Sequence, residues 1–175
     1  MVELELPLSD EQATGAGTAQ ERNVALAERR HVQSWTDPDW QRLWLTVDRL
    51  PWRTLALIPA GEGGPDDLTL SLAVALSRTG MSHVGGPILV ADGMHVPLDQ
   101  LNAFLADVRS CTEGGERVII ALSPVNRSPT TVAMAKAADS VVLCVMLEHM
   151  HSTEAKQTIK LIGPSKFVGS VILRK

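Results

Sequence analysis

The stretch that decides the fold is residues 58–71, IPAGEGGPDDLTLS. An apolar run, RTLAL at 53–57, precedes it, and an apolar helical pattern, SLAVALS at 71–77, follows it. A glycine-rich turn between a buried strand and a helix is where nucleotide-hydrolysing proteins hold phosphate, because backbone N–H groups there face the anion. This turn has no lysine, and Asp66 and Asp67 stand where phosphate would lie. The stretch is therefore a working nucleotide site, an altered one, or only a glycine-rich turn.

Four further apolar strands alternate with helices after this turn. We predict strands over 54–58, 88–91, 117–122, 140–147 and 168–173. We predict helices over 67–79, 97–109, 128–137 and 152–162, with Gly80 closing the first of them. Short, almost wholly apolar strands are typical of a parallel sheet covered on both faces. Right-handed crossovers then predict an α/β fold, a doubly wound and mainly parallel sheet of five or more strands with helices on both faces.

One more helix is predicted before the first strand, over residues 37–48. Asp37 is a good N-cap, Pro38 suits the first helical position, and Pro51 prevents continuation. An apolar face follows at helical spacing, formed by Trp40, Leu43, Trp44 and Val47. We divide the chain into a flexible or helical extension over 1–34 and a single α/β domain over 35–175.

Composition excludes several classes of function. The chain has 175 residues, 45% of them hydrophobic, and a net charge of −4, which does not favour nucleic acid or an anionic membrane as a partner. No apolar run reaches the ~18 residues of a membrane span, and the acidic start MVELELPLSDEQ is not a signal peptide. We therefore expect a cytoplasmic protein without direct membrane insertion. The two cysteines, Cys111 and Cys144, do not have zinc-site spacing.

The loops after the strands hold the candidate ligand residues, because ligands of such sheets bind beyond the carboxyl ends of the strands. His149 and His151 lie two apart after the fourth strand and could coordinate zinc, but we favour the simpler interpretation of a polar strand-end loop. Ser123, with Asp92 after a neighbouring strand, could suggest a hydrolase. The chain has no GxSxG nucleophile turn, so we expect Ser123 to be structural.

The order of several motifs carries a family resemblance over residues 38–175. PAGEGGPDD is followed by Ser71-Leu72-Ala73, the second strand ends in Asp92-Gly93-Met94, and the third reads IIALSP at 119–124. ADSVVLCVM and the tail KFVGSVILRK complete the series. This layout resembles the deviant P-loop ATPases of the partitioning and septum-site group. It is most similar to their branch of bacterial tyrosine autokinases, which act in capsule and exopolysaccharide export.

The resemblance also implies a set of losses. The family's loop lysine falls at Gly64 or Pro65, its magnesium-binding Ser/Thr at Pro65 or Asp66, and its water-holding Asp at Ala121. Met94 replaces a second Asp, Arg174 the base-contacting Asn, and the chain has no tyrosine to accept phosphate. The resemblance thus implies no catalytic residue, no metal and no cofactor, with ATP and Mg²⁺ as the alternative. The vestigial nucleotide positions are Gly61, Glu62, Gly63, Gly64, Pro65, Asp66, Asp67, Asp92 and Ala121. Asp66 and Asp67 suit the helix start as cap and dipole partner.

The helix over 37–48 is the candidate contact surface. The family carries E-x-x-R-x-x-R there and uses this helix between subunits; here Asp39-Trp40-Gln41-Arg42 is followed by Leu45 at the second Arg position. The four tryptophans in and around this helix, Trp35, Trp40, Trp44 and Trp52, either pack onto the sheet or form an interface. The candidate interface residues are Asp39, Trp40, Arg42 and Trp44.

The resemblance implies a non-catalytic protein that assists polysaccharide export. Its partner would be an inner-membrane polysaccharide chain-length or export protein, which would recruit it to the membrane, and a homo-oligomer is also compatible. Two alternatives stay open. One is an ATPase or kinase with an atypical phosphate loop, and the other is a partitioning-like spatial regulator without nucleotide switching.

Overall fold

The structure, a computed structural model, describes residues 38–147 and 152–173. In this part of the chain five parallel strands form one sheet in the order β2-β3-β1-β4-β5. The strands are β1 Thr54–Pro59, β2 Ile88–Asp92, β3 Arg117–Ala121, β4 Ser140–Met146 and β5 Phe167–Leu173. The predicted fold class is confirmed, and every predicted strand is present within about one residue at either end.

Helices cover both faces of the sheet. They are α1 Pro38–Val47, α2 Leu68–Val84, α3 Leu101–Glu113, α4 Pro129–Ala137 and α5 Ser152–Ile162, with short 3₁₀ turns at Leu98–Gln100 and Pro164–Lys166. α1 and α2 pack on the face that carries Leu55 and Leu57 of β1. The other three helices pack on the face that carries Ala56 and Ile58. Alternation of side chains along buried strands thus produces two separate cores.

The first core is built around the tryptophans of α1. Trp40 and Trp44 are 5% and 0% exposed, and Trp44 meets Trp52 edge-on with ring centroids 6.0 Å apart. The indole N–H groups of Trp40 and Trp44 are buried without a hydrogen-bond partner among the described residues. The packing interpretation of these two tryptophans is therefore correct. Their assignment to a surface interface is wrong, because side chains this deeply buried are not available to a partner.

The remaining two candidate interface residues lie at the surface. Arg42 Nη1 donates to Asp39 Oδ1 at 3.1 Å, one turn away on α1, and the Arg42 side chain is largely exposed. Exposed i,i+3 pairs of this kind contribute little to stability. The exposed side of α1, with Asp39 and Arg42 upon it, is thus the part of the helix that a partner could contact.

Gly80 does not end α2, contrary to the prediction. The helix continues to Val84, and Gly85 ends it with φ 69°, donating its N–H to Met81 O at 3.2 Å. Gly80 lies where α1 crosses α2, and a Cβ there would come within 2.5 Å of Trp44 Cη2 and Ile88 Cδ1. The glycine therefore allows close packing of two helices and the sheet.

Several predictions fall outside the described residues. They concern the extension over 1–34, Trp35, Asp37, the pair His149 and His151, and Arg174. Within 38–147 and 152–173, none of the helices has the length and apolarity that crossing a bilayer requires.

Candidate functional site

A cavity of about 280 Å³ opens at the carboxyl ends of β1 and β4. These strands are neighbours, but β1 leads into α2 on the tryptophan face and β4 leads towards α5 on the other face. Chain segments that leave two adjacent strands in opposite directions create the crevice in which ligands of doubly wound sheets bind. The glycine-rich stretch quoted above forms one wall of this crevice, since Gly61, Glu62, Gly64, Pro65 and Asp66 line it.

The loop after β1 is not shaped like an anion-binding nest. Such nests alternate right- and left-handed backbone so that successive N–H groups converge. Among the described residues positive φ angles occur only at Gly85, Gly115 and Gly163, none of which lies in this loop. At the two ends of the loop, Ala60 N–H donates to Cys144 O at 2.9 Å and Leu68 N–H donates to Pro65 O at 3.1 Å.

The two aspartates at the start of α2 do different things. Asp67 occupies the N-cap position with φ −98° and ψ 12°, and within the described residues its side chain makes no capping hydrogen bond. The expectation that Asp67 caps the helix through its side chain is therefore wrong. The reason is its backbone, which departs from the extended conformation that aims a capping side chain at the helix N–H groups.

Asp66 instead pairs with Arg127 across the mouth of the cavity. The hydrogen bond from the Arg127 guanidinium, together with its charge, holds the pKa of Asp66 below its ordinary value. The same pairing raises the pKa of Arg127. Arg127 Nη2 also lies 3.5 Å from Glu62 O, so this one side chain spans from the β3–α4 loop to the glycine-rich loop.

Arg127 and His95 are cavity residues that the sequence analysis did not select. Arg127 follows β3 and His95 follows β2, so both lie in strand-end loops that were identified as the place for ligand residues. Their position after a strand was the available signal. That position does not reveal the pairing of Arg127 with Asp66, because the two residues are 61 positions apart in the chain.

The floor of the cavity is apolar. It is formed by Pro59, Leu68, Met94, Cys144 and Met146. The last four are at most 7% exposed. Burial raises the pKa of Cys144 to about 12, which keeps its thiol protonated and unreactive at neutral pH.

The other strand-end residues make structural hydrogen bonds. Asp92 Oδ1 accepts the N–H of Met94 at 3.0 Å and thereby fixes the turn after β2. Ser123 Oγ lies 3.0 Å from Met94 O, to which it donates, and 3.2 Å from Thr131 Oγ1. The hydroxyl proton of Ser123 is therefore used in a hydrogen bond to a backbone carbonyl, which agrees with a structural role. Ala121 is fully buried in β3 and offers no oxygen to the cavity.

A third carboxylate reaches the loop from α5. Glu154 lies directly over Gly61, where an added Cβ would overlap Glu154 Oε2. A larger residue at position 61 would therefore displace the end of the Glu154 side chain, and the φ angle of Gly61 does not itself call for glycine. In the described ranges, 38–147 and 152–173, no three His, Cys, Asp or Glu residues are grouped to hold a metal ion.

Comparison with known proteins identifies relatives by structure only. No family model and no curated protein matches the chain. The chimerical protein CapA2B2 superposes with a TM-score of 0.59 and 16% identity, over 81% of this chain and 87% of that one. The BceF tyrosine kinase domain superposes with a TM-score of 0.54 and 18% identity, over 90% and 89%. At these identities the likeness establishes the fold alone, which is the parallel α/β sheet with helices on both faces expected from the sequence.

Proposed function

We propose that the chain is a non-catalytic relative of the polysaccharide-export tyrosine kinases. It acts through protein contacts, as a regulatory or assembly partner of an exopolysaccharide or capsule export complex. The observation that carries this proposal is the charge around the cavity. Glu62 and Asp66 line the cavity beside the start of α2, Glu154 lies against Gly61 of the same loop, and the nearby guanidinium of Arg127 is paired with Asp66.

Phosphoryl transfer depends on neutralising phosphate charge. At ~4 Å each carboxylate–phosphate contact costs on the order of 1–4 kcal/mol, depending on the local dielectric. The loop has no lysine to offset this repulsion, and its backbone lacks the left-handed residues of a nest. Each feature weakens nucleotide binding by a separate physical route, and together they favour a protein that has lost ATP hydrolysis.

The likeness to the BceF tyrosine kinase domain and to CapA2B2 supports the kinase-like ancestry in this proposal. The role in polysaccharide export comes from the sequence resemblance to the autokinases. A catalytic role as a kinase would further require an acceptor tyrosine for autophosphorylation, and this chain contains none.

One observation favours a second function, an ATPase with an atypical phosphate loop. Arg127 is a cation at the mouth of the cavity, and an arginine can replace a lysine as a phosphate ligand. This reading requires Asp66 to release Arg127 when the nucleotide enters. Asp92, the acidic position that survives from the family pattern, would then contribute to metal binding.

Calorimetry with Mg-ATP and Mg-ADP tests the two functions. We expect no binding to the wild-type chain at micromolar nucleotide. Micromolar binding that weakens in Asp92→Ala or Arg127→Gln would favour the ATPase, and release of phosphate from the bound ATP would refute the pseudo-enzyme proposal.

The partner role is tested at the exposed side of α1. An inner-membrane polysaccharide chain-length or export protein, co-expressed with this chain, should co-purify with it, and Arg42→Glu should reduce recovery. Arg49→Glu is the matched control, because Arg49 is also exposed and lies just beyond the helix. Equal recovery with both variants would show that α1 is not the contact surface.

A further inference from the structure

The floor of the cavity is suited to an apolar group. Three unbranched or singly branched apolar side chains meet there, those of Leu68, Met94 and Met146. Methionine adapts its shape to the group that it contacts. The hydroxyl that lines the cavity, that of the buried Ser123, already donates to Met94 O at 3.0 Å. Phosphate or sugar oxygens entering the cavity would lose hydrogen bonds to water without replacing them at this floor.

The rim of the cavity is acidic. Glu62 and Asp66 line it, and Glu154 lies against Gly61. One guanidinium, that of Arg127, stands against these three carboxylates, and it is already bonded to Asp66. Among the described residues, three carboxylates against one guanidinium give this rim a net negative charge of about two, which attracts cations and repels anions.

The size of the cavity limits what can occupy it. About 280 Å³ is below the ~300–1,000 Å³ of pockets that enclose a drug-sized ligand. A second depression of about 240 Å³ adjoins it, sharing Met94, His95 and Arg127, and Leu98, 69% exposed, stands on its edge. The surface therefore combines one small apolar hole with a shelf of mixed polar and apolar residues beside it, which suits an extended polypeptide better than a compact molecule.

We infer that this cavity receives one apolar side chain of a partner polypeptide, in a segment that carries lysine or arginine beside that side chain. The apolar group fills the floor between Met94 and Met146, the backbone of the segment passes over the shelf at Leu98, and its basic groups face Glu62, Asp66 and Glu154. This inference rests on the proposed function, because bound nucleotide would fill the same space.

Methyl NMR on the full chain tests the inference. The chain has six methionines. Met94 and Met146 lie in the cavity, while Met134 is fully buried in the opposite core and serves as an internal control. The probe is an acetylated pentapeptide with a central phenylalanine and two basic residues on each side. Two matched peptides replace the phenylalanine by serine or the basic residues by glutamate.

The expected result is a saturable shift of the Met94 and Met146 methyl resonances with the basic phenylalanine peptide, while Met134 stays in place. The double variant Glu62→Gln, Asp66→Asn should weaken the affinity by about three- to tenfold, because it removes two exposed charge pairs. Absence of the shift, an equal shift with the serine or glutamate peptide, or an affinity unchanged in the double variant would overturn the inference.

A parallel titration with Mg-ATP separates the two proposals. If neither Mg-ATP nor the peptide shifts the cavity methyl groups, the peptide site is refuted and the non-catalytic function stands. If Mg-ATP shifts them at micromolar concentration, the cavity is a nucleotide site and the peptide site is refuted, and release of phosphate from that ATP would refute the non-catalytic function as well.

Discussion

Gly80 and Gly64 show how differently two regions of the molecule are packed. At Gly80, between α1, α2 and the sheet, a methyl group would come within 2.5 Å of Trp44 Cη2 and Ile88 Cδ1. At Gly64, on the cavity wall, it would lie 3.2 Å from Leu68 Cδ2 and 3.7 Å from Met146 Sδ. Both regions are lined by apolar side chains, but only the first is filled. Interiors of folded domains are close-packed, so unfilled apolar volume at a ligand crevice indicates a place for something else.

The charged groups at the amino and carboxyl ends of the strands also differ in what they contact. At the amino ends of the strands, Asp139 Oδ2 accepts the N–H groups of Arg53 and Thr54, each at 2.9 Å, and so joins the starts of β1 and β4. At the carboxyl ends, Asp66 and Glu62 face solvent around the cavity. The carboxylate at the amino ends therefore holds two strands together, whereas the carboxylates at the carboxyl ends lie at the surface, where a ligand could contact them.

Trp44→Ala is expected to have the largest effect on stability. Trp44 is 0% exposed, and truncation of a buried tryptophan costs about 3–5 kcal/mol. Urea unfolding should show this loss. Trp44→Phe should lose clearly less, because it keeps a ring and removes an indole N–H that lacks a partner. Equal losses in both variants would contradict the close packing described for this core.

Gly80→Ala should be the next most destabilising change. Alanine gains about 1 kcal/mol over glycine in a helix interior, but overpacking a filled core costs about 1–3 kcal/mol. Because Trp44 is held on all sides, we expect a net loss of about 1–2 kcal/mol in the free energy of unfolding. Gly64→Ala is the matched control and should change stability by less than about 1 kcal/mol, since its φ is not positive and its neighbours are flexible. A Gly80→Ala variant more stable than the wild-type protein would contradict the difference in packing between the regions around Gly80 and Gly64.

Asp139→Asn should cost about 1 kcal/mol at pH 7, since two hydrogen bonds to a charged group are weakened at a partly exposed site. Burial works to raise the pKa of Asp139, but hydrogen bonds from Thr54 and Arg53 and the charge of Lys166 outweigh it and lower the pKa below 3.8. A depressed folded-state pKa adds stability above the unfolded value, and this contribution is lost as the pH falls through the folded value. Urea unfolding from pH 7 to 3 should therefore show the two proteins converging at the acid end. A difference that does not shrink as the pH falls from 7 to 3 would exclude the carboxylate as its source.

The sequence predicted the fold well because apolar runs and helical spacing are local signals. Every strand and helix of the described part was anticipated. Gly80 was misread because glycine is also a common helix terminator, and nothing local reveals that Trp44 crosses above it. Trp40 and Trp44 show the same limit: their spacing identifies one face of a helix, but only the packed structure shows that this face points inward.

The candidate site was predicted less completely, since its described part is assembled from three strand-end loops and the end of β4. The glycine-rich stretch was found because its composition is unusual. Arg127 and His95 were not selected, as single polar residues in loops carry no pattern of their own. The pairing of Asp66 with Arg127 depends on a crossover that brings distant loops together, and it is this pairing that decides whether a cation at the site is available to a ligand.

The smallest expected effect concerns this pair. Asp66→Asn and Arg127→Gln should each leave the midpoint of urea unfolding unchanged within error, because exposed ion pairs contribute little to stability. The pair should nevertheless be visible in the titration of Asp66. Its hydrogen bond from Arg127 and the charge of that guanidinium lower the pKa of Asp66, so the carboxyl carbon, followed by NMR, should titrate below its ordinary value and return towards it in Arg127→Gln. His95→Gln is the control and should shift the titration less, since His95 is the weakest of the influences on Asp66. If Asp66 titrates identically with and without Arg127, the two side chains are not paired in solution, Arg127 is free to bind an anion, and the contrast between the two ends of the sheet loses its main support.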